Sequence, residues 1–295
     1  MSAEIPAAYS SQYVDFWNAV LAPKFTAWRH ILAGGLGEHS AKVFPALQLQ
    51  KGDRVLDVGC GWGETSLELA RLVGPDGNVL GMDCCNLFLE TARADAKAAG
   101  LTNVSFLAAD VETCAFMPKY DLCFSRFGTQ FFENPVAGLR NMKWALRPGG
   151  TMTMIVWRGR TDNPWLTLSK EVVLRYLPPV REYAATCGPG PFSMADPEVV
   201  TKQLELAGYC EIGFERVDAD VMVGRDLEEA VAFQLAIGPA GELVREAGDE
   251  ATRRHDEIVL ALSNELRQFV RPQGVMMSSS SWIVTAKRCE AGTSS

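Results

Sequence analysis

The stretch Val55-Leu56-Asp57-Val58-Gly59-Cys60-Gly61-Trp62-Gly63 decides how this chain folds. Val55, Leu56 and Val58 form a short apolar run of β-formers, the pattern of a strand covered on both faces. Gly59, Gly61 and Gly63 remove side chains where the backbone must turn tightly and come close to a ligand. Thr65, Leu69, Leu72 and Val73 then recur at helical spacing until Gly74-Pro75-Asp76-Gly77 stops the helix with turn residues.

Downstream the same unit repeats. Asn78 to Met82 reads as a second strand ending at Asp83, and Asn86 is placed to cap a helix that Gly100 ends. Val104 to Ala108 is a third strand before Asp110, and Tyr120 to Ser125 a fourth. Asn134-Pro135 sets a capping residue before a proline at the first helical position, and Arg147-Pro148-Gly149-Gly150 breaks that helix ahead of a fifth strand, Thr151 to Trp157. Strand and helix alternating at this length mean a parallel, doubly wound α/β sheet, which binds ligands beyond the carboxyl ends of its strands.

Outside residues 46–158 the pattern changes. Residues 1–45 are helical in spacing and interrupted by Pro23, with an apolar side that includes Tyr13, Phe16, Trp17, Phe25 and Trp28; they read as a lid that also packs on the core. Residues 159–195 are rich in Trp, Pro and Gly and too long for a simple connection, which points to a lid or substrate loop. Residues 196–288 complete the sheet with a helix, one long strand or a strand pair from Cys210 to Val223, a helical insertion at 226–270, and a last strand from Ser281 to Ala286. Residues 289–295 are expected to be a flexible tail. The insertion and the amino-terminal helices read either as a substrate-selecting cap or as a dimer surface.

Composition excludes several classes of function. A net charge of −8 lacks the basic footprint that nucleic-acid phosphates require, so a small neutral or cationic partner is favoured. No apolar run approaches the roughly 20 residues of a membrane span. The eight cysteines form no CxxC pair, and with no secretory signal they are expected to be reduced thiols in a cytoplasmic protein that holds no metal.

Three carboxylates fall in register with the glycine turn: Asp57 inside the first strand, Asp83 at the end of the second and Asp110 after the third. An acid at the end of the second strand accepts hydrogen bonds from both hydroxyls of a ribose. A dinucleotide turn wants GxGxxG, whereas this chain has GxGxG with an acid two residues before the first glycine.

Here the sequence resembles the class I S-adenosylmethionine (SAM)-dependent methyltransferases, through LeuAspValGlyCysGlyTrpGly at 56–63, GlyMetAsp at 81–83, AlaAlaAsp at 108–110, TyrAspLeu at 120–122 and LeuArgProGlyGly at 146–150. SerArgPheGly at 125–128, Tyr13 and the TrpArg pair at 28–29 are most similar to relatives of the ubiquinone and menaquinone C-methyltransferases. Trp62 departs from the usual small polar residue of the turn, and no histidine precedes Trp28. The resemblance implies a Rossmann-like, mostly parallel seven-stranded sheet with helical caps, SAM as cofactor, and methyl transfer to a small organic acceptor with release of S-adenosylhomocysteine (SAH). It places Gly59, Cys60, Gly61 and Gly63 at the methionine end of SAM, Asp83 and its neighbour Cys84 at the ribose, and Asp110 and Val111 at the adenine. Ser125 and Arg126 form the floor, and Asp57 fixes the turn or reaches the SAM amino group.

For the acceptor side, His30 on the lid is the candidate base, with Tyr13 and Arg126 as further catalytic candidates and Gln130 and Tyr183 as substrate contacts. Three alternatives stay open. The vicinal pair Cys84-Cys85, with Cys187 in the loop, suits a metalloid or thiol S-methyltransferase. The others are a SAM-binding protein without chemistry and a nicotinamide oxidoreductase.

Overall fold

In the computed structural model, which describes residues 11–177 and 190–289, the apolar runs assemble into one mixed sheet. Its strands are β1 (Arg54–Val58), β2 (Asn78–Asp83), β3 (Val104–Ala108), β4 (Tyr120–Arg126), β5 (Leu146–Trp157), β6 (Tyr209–Gly224), β7 (Val270–Arg271) and β8 (Gly274–Arg288). The order is β3-β2-β1-β4-β5-β8-β6, and the two-residue β7 pairs with β8 as an eighth strand beyond the seven expected. β1 to β5 are mutually parallel, while β8 runs antiparallel to both β5 and β6. The order reverses at β1 and β4, which puts the glycine turn at the crevice where such sheets bind ligands.

Val55, Leu56, Val58, Leu122, Cys123 and Phe124 are all buried, because the central strands carry helices on both faces. The helices of the alternating units are α4 (Glu64–Val73), α5 (Asn86–Ala98) and α6 (Pro135–Ala145), preceded by α1 (Gln12–Phe16), α2 (Ala22–Ala27) and α3 (Arg29–Val43). The Asn134 side chain accepts from the Ala137 N–H at 3.1 Å, as a cap should. Asn86 does not cap α5: it is the first helical residue, and its amide instead donates to Glu90 at 3.2 Å.

At the amino end, Pro23 has no N–H to give, and the turn before it, Trp17–Leu21, widens to π geometry. Trp17, Leu21, Ile31 and Leu32 are buried, so these helices are packed against the body of the protein rather than standing off it.

Past β5 come α7 (Pro164–Val173) and α8 (Pro197–Ala207), and between β6 and β7 the chain inserts α9 (Leu227–Ala236), α10 (Gly238–Ala247), α11 (Asp249–Arg253) and α12 (His255–Leu266). Val173 and Leu177 share a satellite cluster with Ala240, Leu243, Ala251 and Ile258, so α7 and the insertion pack as one block. Arg245 of α10 lies 5.6 Å over the Phe16 ring, which joins this block to the amino-terminal helices.

Two further expectations need correction. β8 is far longer than Ser281 to Ala286: the run Ser278-Ser279-Ser280-Ser281 is strand and not loop. Ser279, Ser280 and Ser281 are buried there because every hydroxyl finds a partner, Ser279 and Ser281 on His39 at 2.8 Å each and Ser280 on Asp218 at 2.5 Å. The cysteines are also not all free thiols: Cys210 and Cys289, with Cα atoms 6.0 Å apart, are joined in a disulfide between the first residues of β6 and the end of β8.

Candidate active site

Beyond the carboxyl ends of β1, β2 and β4 lies a cavity of about 740 Å³. Its near wall is the glycine turn. Gly59 has φ +67, and a Cβ there would stand 2.9 Å from the Cα of Gly128, so the turns after β1 and β4 touch backbone to backbone. Gly61 also has positive φ, yet a Cβ on it would meet nothing within 4 Å; the missing side chain opens room on the cavity side.

Asp83 braces this wall. Its Oδ2 accepts from the Gly61 N–H at 2.9 Å and its Oδ1 from the Cys85 N–H at 2.8 Å. Burial pushes its carboxyl up, while those amides pull it back down. Each oxygen keeps acceptor capacity, which is what a vicinal diol requires.

Asp57 lies behind the turn and does not line the cavity. It is fully buried, with Oδ2 accepting from Thr65 at 2.7 Å and Ser66 at 2.6 Å, while Oδ1 has no partner. Burial raises its carboxyl to about 6 despite the two hydroxyls. Its contacts tie β1 to the first turn of α4. Gly63 and Ser125 likewise sit behind the wall: a Cβ on Gly63 would meet Ala92 at 2.9 Å, and Ser125 is buried with its hydroxyl unpartnered.

Gly59, Cys60, Gly61, Asp83, Cys84, Asp110, Val111 and Arg126 do line the cavity, together with Glu64 and Glu112. Asp110 is held by the Glu112 N–H at 2.8 Å, and Glu112 accepts from the Glu133 and Asn134 amides at 2.8 and 2.6 Å. The Arg126 side chain is largely covered, and desolvation lowers its pKa; its guanidinium donates to Ser40 at 3.1 Å and Glu64 at 3.4 Å. Glu64 in turn accepts from Arg29 at 3.2 Å, and Arg29 also reaches Asp95 at 2.5 Å. An ionic chain therefore runs from the cavity floor to the start of α3.

Cys84 and Cys85 have sulfurs 3.9 Å apart at the Asp83 end of the cavity, and these three side chains offer ligand atoms within 4.8 Å of one another. Cys85 is buried and its thiol pushed up, chiefly by its hydrogen bond to Cys84 and by desolvation, and Asp83 is engaged by backbone.

The far side of the cavity is aromatic. Tyr13, Trp17, Phe25 and Phe131 cluster with ring centroids 5.2 to 6.4 Å apart. Phe127 stacks on Trp157 at 3.8 Å, and Trp157 meets Trp165 edge-on at 5.2 Å. Gln130 lines the same space, its side-chain oxygen accepting from the Trp157 N–H at 3.2 Å.

His30 does not join the site. Its neighbours Ile31 and Leu32 turn inward, and by helical geometry His30 turns out: half-exposed, stacked on Trp28 and paired with Glu229 at 3.0 Å. Tyr183 and Cys187 lie outside the described residues. Among residues the sequence reading did not single out, Glu64 could have been suspected as an acid directly after the last glycine of the turn. Trp157, Arg160 and Lys170 carried no local signal. His39 is the buried histidine of this protein, held neutral near pKa 4 chiefly by desolvation; it lies edge-on to Phe127 and Trp157 and is not part of the cavity wall. No helix of the described residues is long and apolar enough to cross a membrane.

Residues 55–150 match a family described as a methyltransferase domain. A demethylmenaquinone methyltransferase of Listeria welshimeri is 32% identical over 138 residues, 45% of this chain and 57% of its own length. The aklanonic acid methyltransferase DauC of a Streptomyces species is 34% identical over 134 residues, 43% of this chain and 61% of its own length. The chain thus spans little more than half the length of these curated relatives. Among solved structures, phosphoethanolamine N-methyltransferase 2 of Haemonchus contortus, in complex with SAM, aligns with TM-score 0.58 and 16% identity over 95% of this chain and 60% of its own. That last likeness is one of fold.

Proposed function

Since this chain carries a class I SAM-dependent methyltransferase domain, we propose that the whole protein moves a methyl group from SAM to a small, partly apolar organic acceptor and releases SAH. One observation carries the reading: an acid at the end of β2, braced by two backbone amides, stands beside a side-chain-free turn at Gly61, and both open into a cavity that continues into an aromatic chamber. Bound there, SAM would supply an electrophilic methyl on a sulfonium.

The residues fit that group. Asp83 would accept from the ribose hydroxyls, Asp110 would receive the adenine amino group, and Val111 would cover the ring. Gly59, Cys60 and Gly61 would border the methionine end. Glu64, Asp83, Asp110 and Glu112 outnumber Arg126 along this wall, which favours a cationic ligand.

On the acceptor side the chain's part is to position and to exclude water. A nucleophile held in line at van der Waals distance needs little further help, because the entropy of approach has been met on binding. The Trp17, Phe131 and Trp157 rings keep water from the sulfonium side of the chamber. Tyr13, Arg126 and Gln130 are assigned as acceptor contacts, and His30 is set aside as a base because Glu229 holds it on the outer face.

Calorimetric titration with SAM, SAH and NADH in parallel tests the reading. Binding of both sulfur ligands without NADH is expected, and Asp83→Asn should weaken SAH binding by about 1 to 3 kcal/mol, the scale for lost hydrogen bonds to a charged group. NADH binding, or undiminished SAH affinity in a folded Asp83→Asn protein, would overturn it.

A further inference from the structure

The cavity changes character between its two ends. Carboxylates dominate beside the glycine turn, but the opposite end, where α7 meets the turn after β5, presents cations. Arg160 sits in the 3-10 turn Arg160–Asp162, and the Thr167 hydroxyl donates to its carbonyl at 3.4 Å, holding that turn against α7. Thr167, Lys170 and Leu174 follow at helical spacing, and all three line the cavity with Arg160. Arg160 places its guanidinium 5.5 Å over the ring of Phe192, another lining residue.

Neither Arg160 nor Lys170 makes an ion pair among the described residues. The two carboxylates at this end, Glu242 and Glu246 of α10, are both engaged by Arg245, at 2.8 and 3.2 Å. In a chain of net charge −8, two cations that line one aromatic cavity with no ion pair among the described residues are not the surface average. Trp157 and Trp165 line the same cavity edge-on to one another, Trp157 with one face covered by Phe127, and the Trp165 indole N–H is buried without a partner.

We propose that Arg160 and Lys170 form an anion-recognising subsite at the end of the acceptor chamber remote from the glycine turn, so that the acceptor is an aromatic molecule carrying a carboxylate or comparable anion away from the methylated atom. This rests on the methyltransferase reading given above. The anion orients the ring system by its far end, and Arg126 and Gln130 meet the end nearer SAM. Because Arg160 is exposed and Lys170 only half-buried, water screens both, and the discrimination is modest in size.

The test uses the full chain loaded with SAH and two isosteric probes that differ only in charge, 2-naphthoate and 2-naphthamide. Tryptophan fluorescence titration is expected to show naphthoate binding about tenfold tighter, equivalent to about 1.4 kcal/mol, with the advantage shrinking as salt is raised. In the Arg160→Gln/Lys170→Gln double variant the two probes should bind equally, with SAH affinity unchanged, while Arg160→Lys/Lys170→Arg should keep the preference. Equal binding of the two probes to the unaltered protein, or a preference that survives the glutamine variant, overturns the subsite. Failure of SAH to bind at all would instead sink the methyltransferase reading, so the two failures are separable.

Discussion

Acidification should act on His39 and Asp57 in opposite directions, and replacing one exposes the other. His39 is fully buried, with one ring nitrogen on Ser281 and the other on Ser279, and desolvation together with Lys42 and Arg126 lowers its pKa from 6.5 to about 4. At about 1.4 kcal/mol per pH unit, that fall amounts to about 3 kcal/mol. A depressed folded-state pKa means that this stability is present above pH 6.5 and is lost as the pH drops to 4. Asp57 is raised from 3.8 to about 6, so its contribution, again about 3 kcal/mol, is full below pH 3.8 and lost as the pH rises through 6. Over pH 6 to 4 the two nearly cancel. His39→Gln keeps a hydrogen-bonding side chain that cannot be protonated, and urea unfolding of the two proteins should show the variant gaining about 3 kcal/mol on the unaltered chain between pH 6.5 and 4. A difference between the two curves that stays flat within about 0.5 kcal/mol would refute the reasoning, because His39 would then titrate alike folded and unfolded.

Other substitutions separate the roles of neighbouring residues. Gly61→Ala should cost only about 1 kcal/mol of stability from its positive φ yet weaken SAH binding in calorimetry, since its methyl enters the cavity side; Gly59→Ala should unfold at clearly lower urea, since its Cβ meets the Gly128 backbone. Arg29→Gln breaks a half-exposed bridge to Glu64 and Asp95 and should change stability by no more than about 1 kcal/mol while speeding amide exchange in residues 12–28, which hydrogen-exchange mass spectrometry would read. His30→Ala should leave SAM turnover with a suitable acceptor within a factor of about two, as expected of a surface ion pair; a collapse of turnover with the fold intact would return His30 to the mechanism.

The parts of this protein that could be read directly were those coded by near neighbours in the chain. Strands β1 to β4, the glycine turn and the stop of α4 before Pro75 follow from alternation, helical spacing and turn residues, all of which act over a few residues. Asp83 was legible for the same reason, since its distance from the turn is set by one helix and one strand. The serine run of β8 was not, because a buried serine is stable only where a distant partner such as His39 or Asp218 supplies the second half of its hydrogen bond.

What the sequence by itself determined, then, is the strand-turn-helix core and the acid that lines the cavity beside its glycine turn. Only the tertiary structure decided which residues look into the cavity. His30 and His39 lie nine residues apart on α3, and packing alone sends one to solvent and buries the other against β8. Arg160, Lys170 and the Trp157–Trp165 pair meet because α7 folds back over the end of β5, and Glu242 and Glu246 lose their claim on those cations because Arg245 stands nearer. Such long-range juxtapositions depend on whole-chain burial and on competing partners, neither of which has a local period.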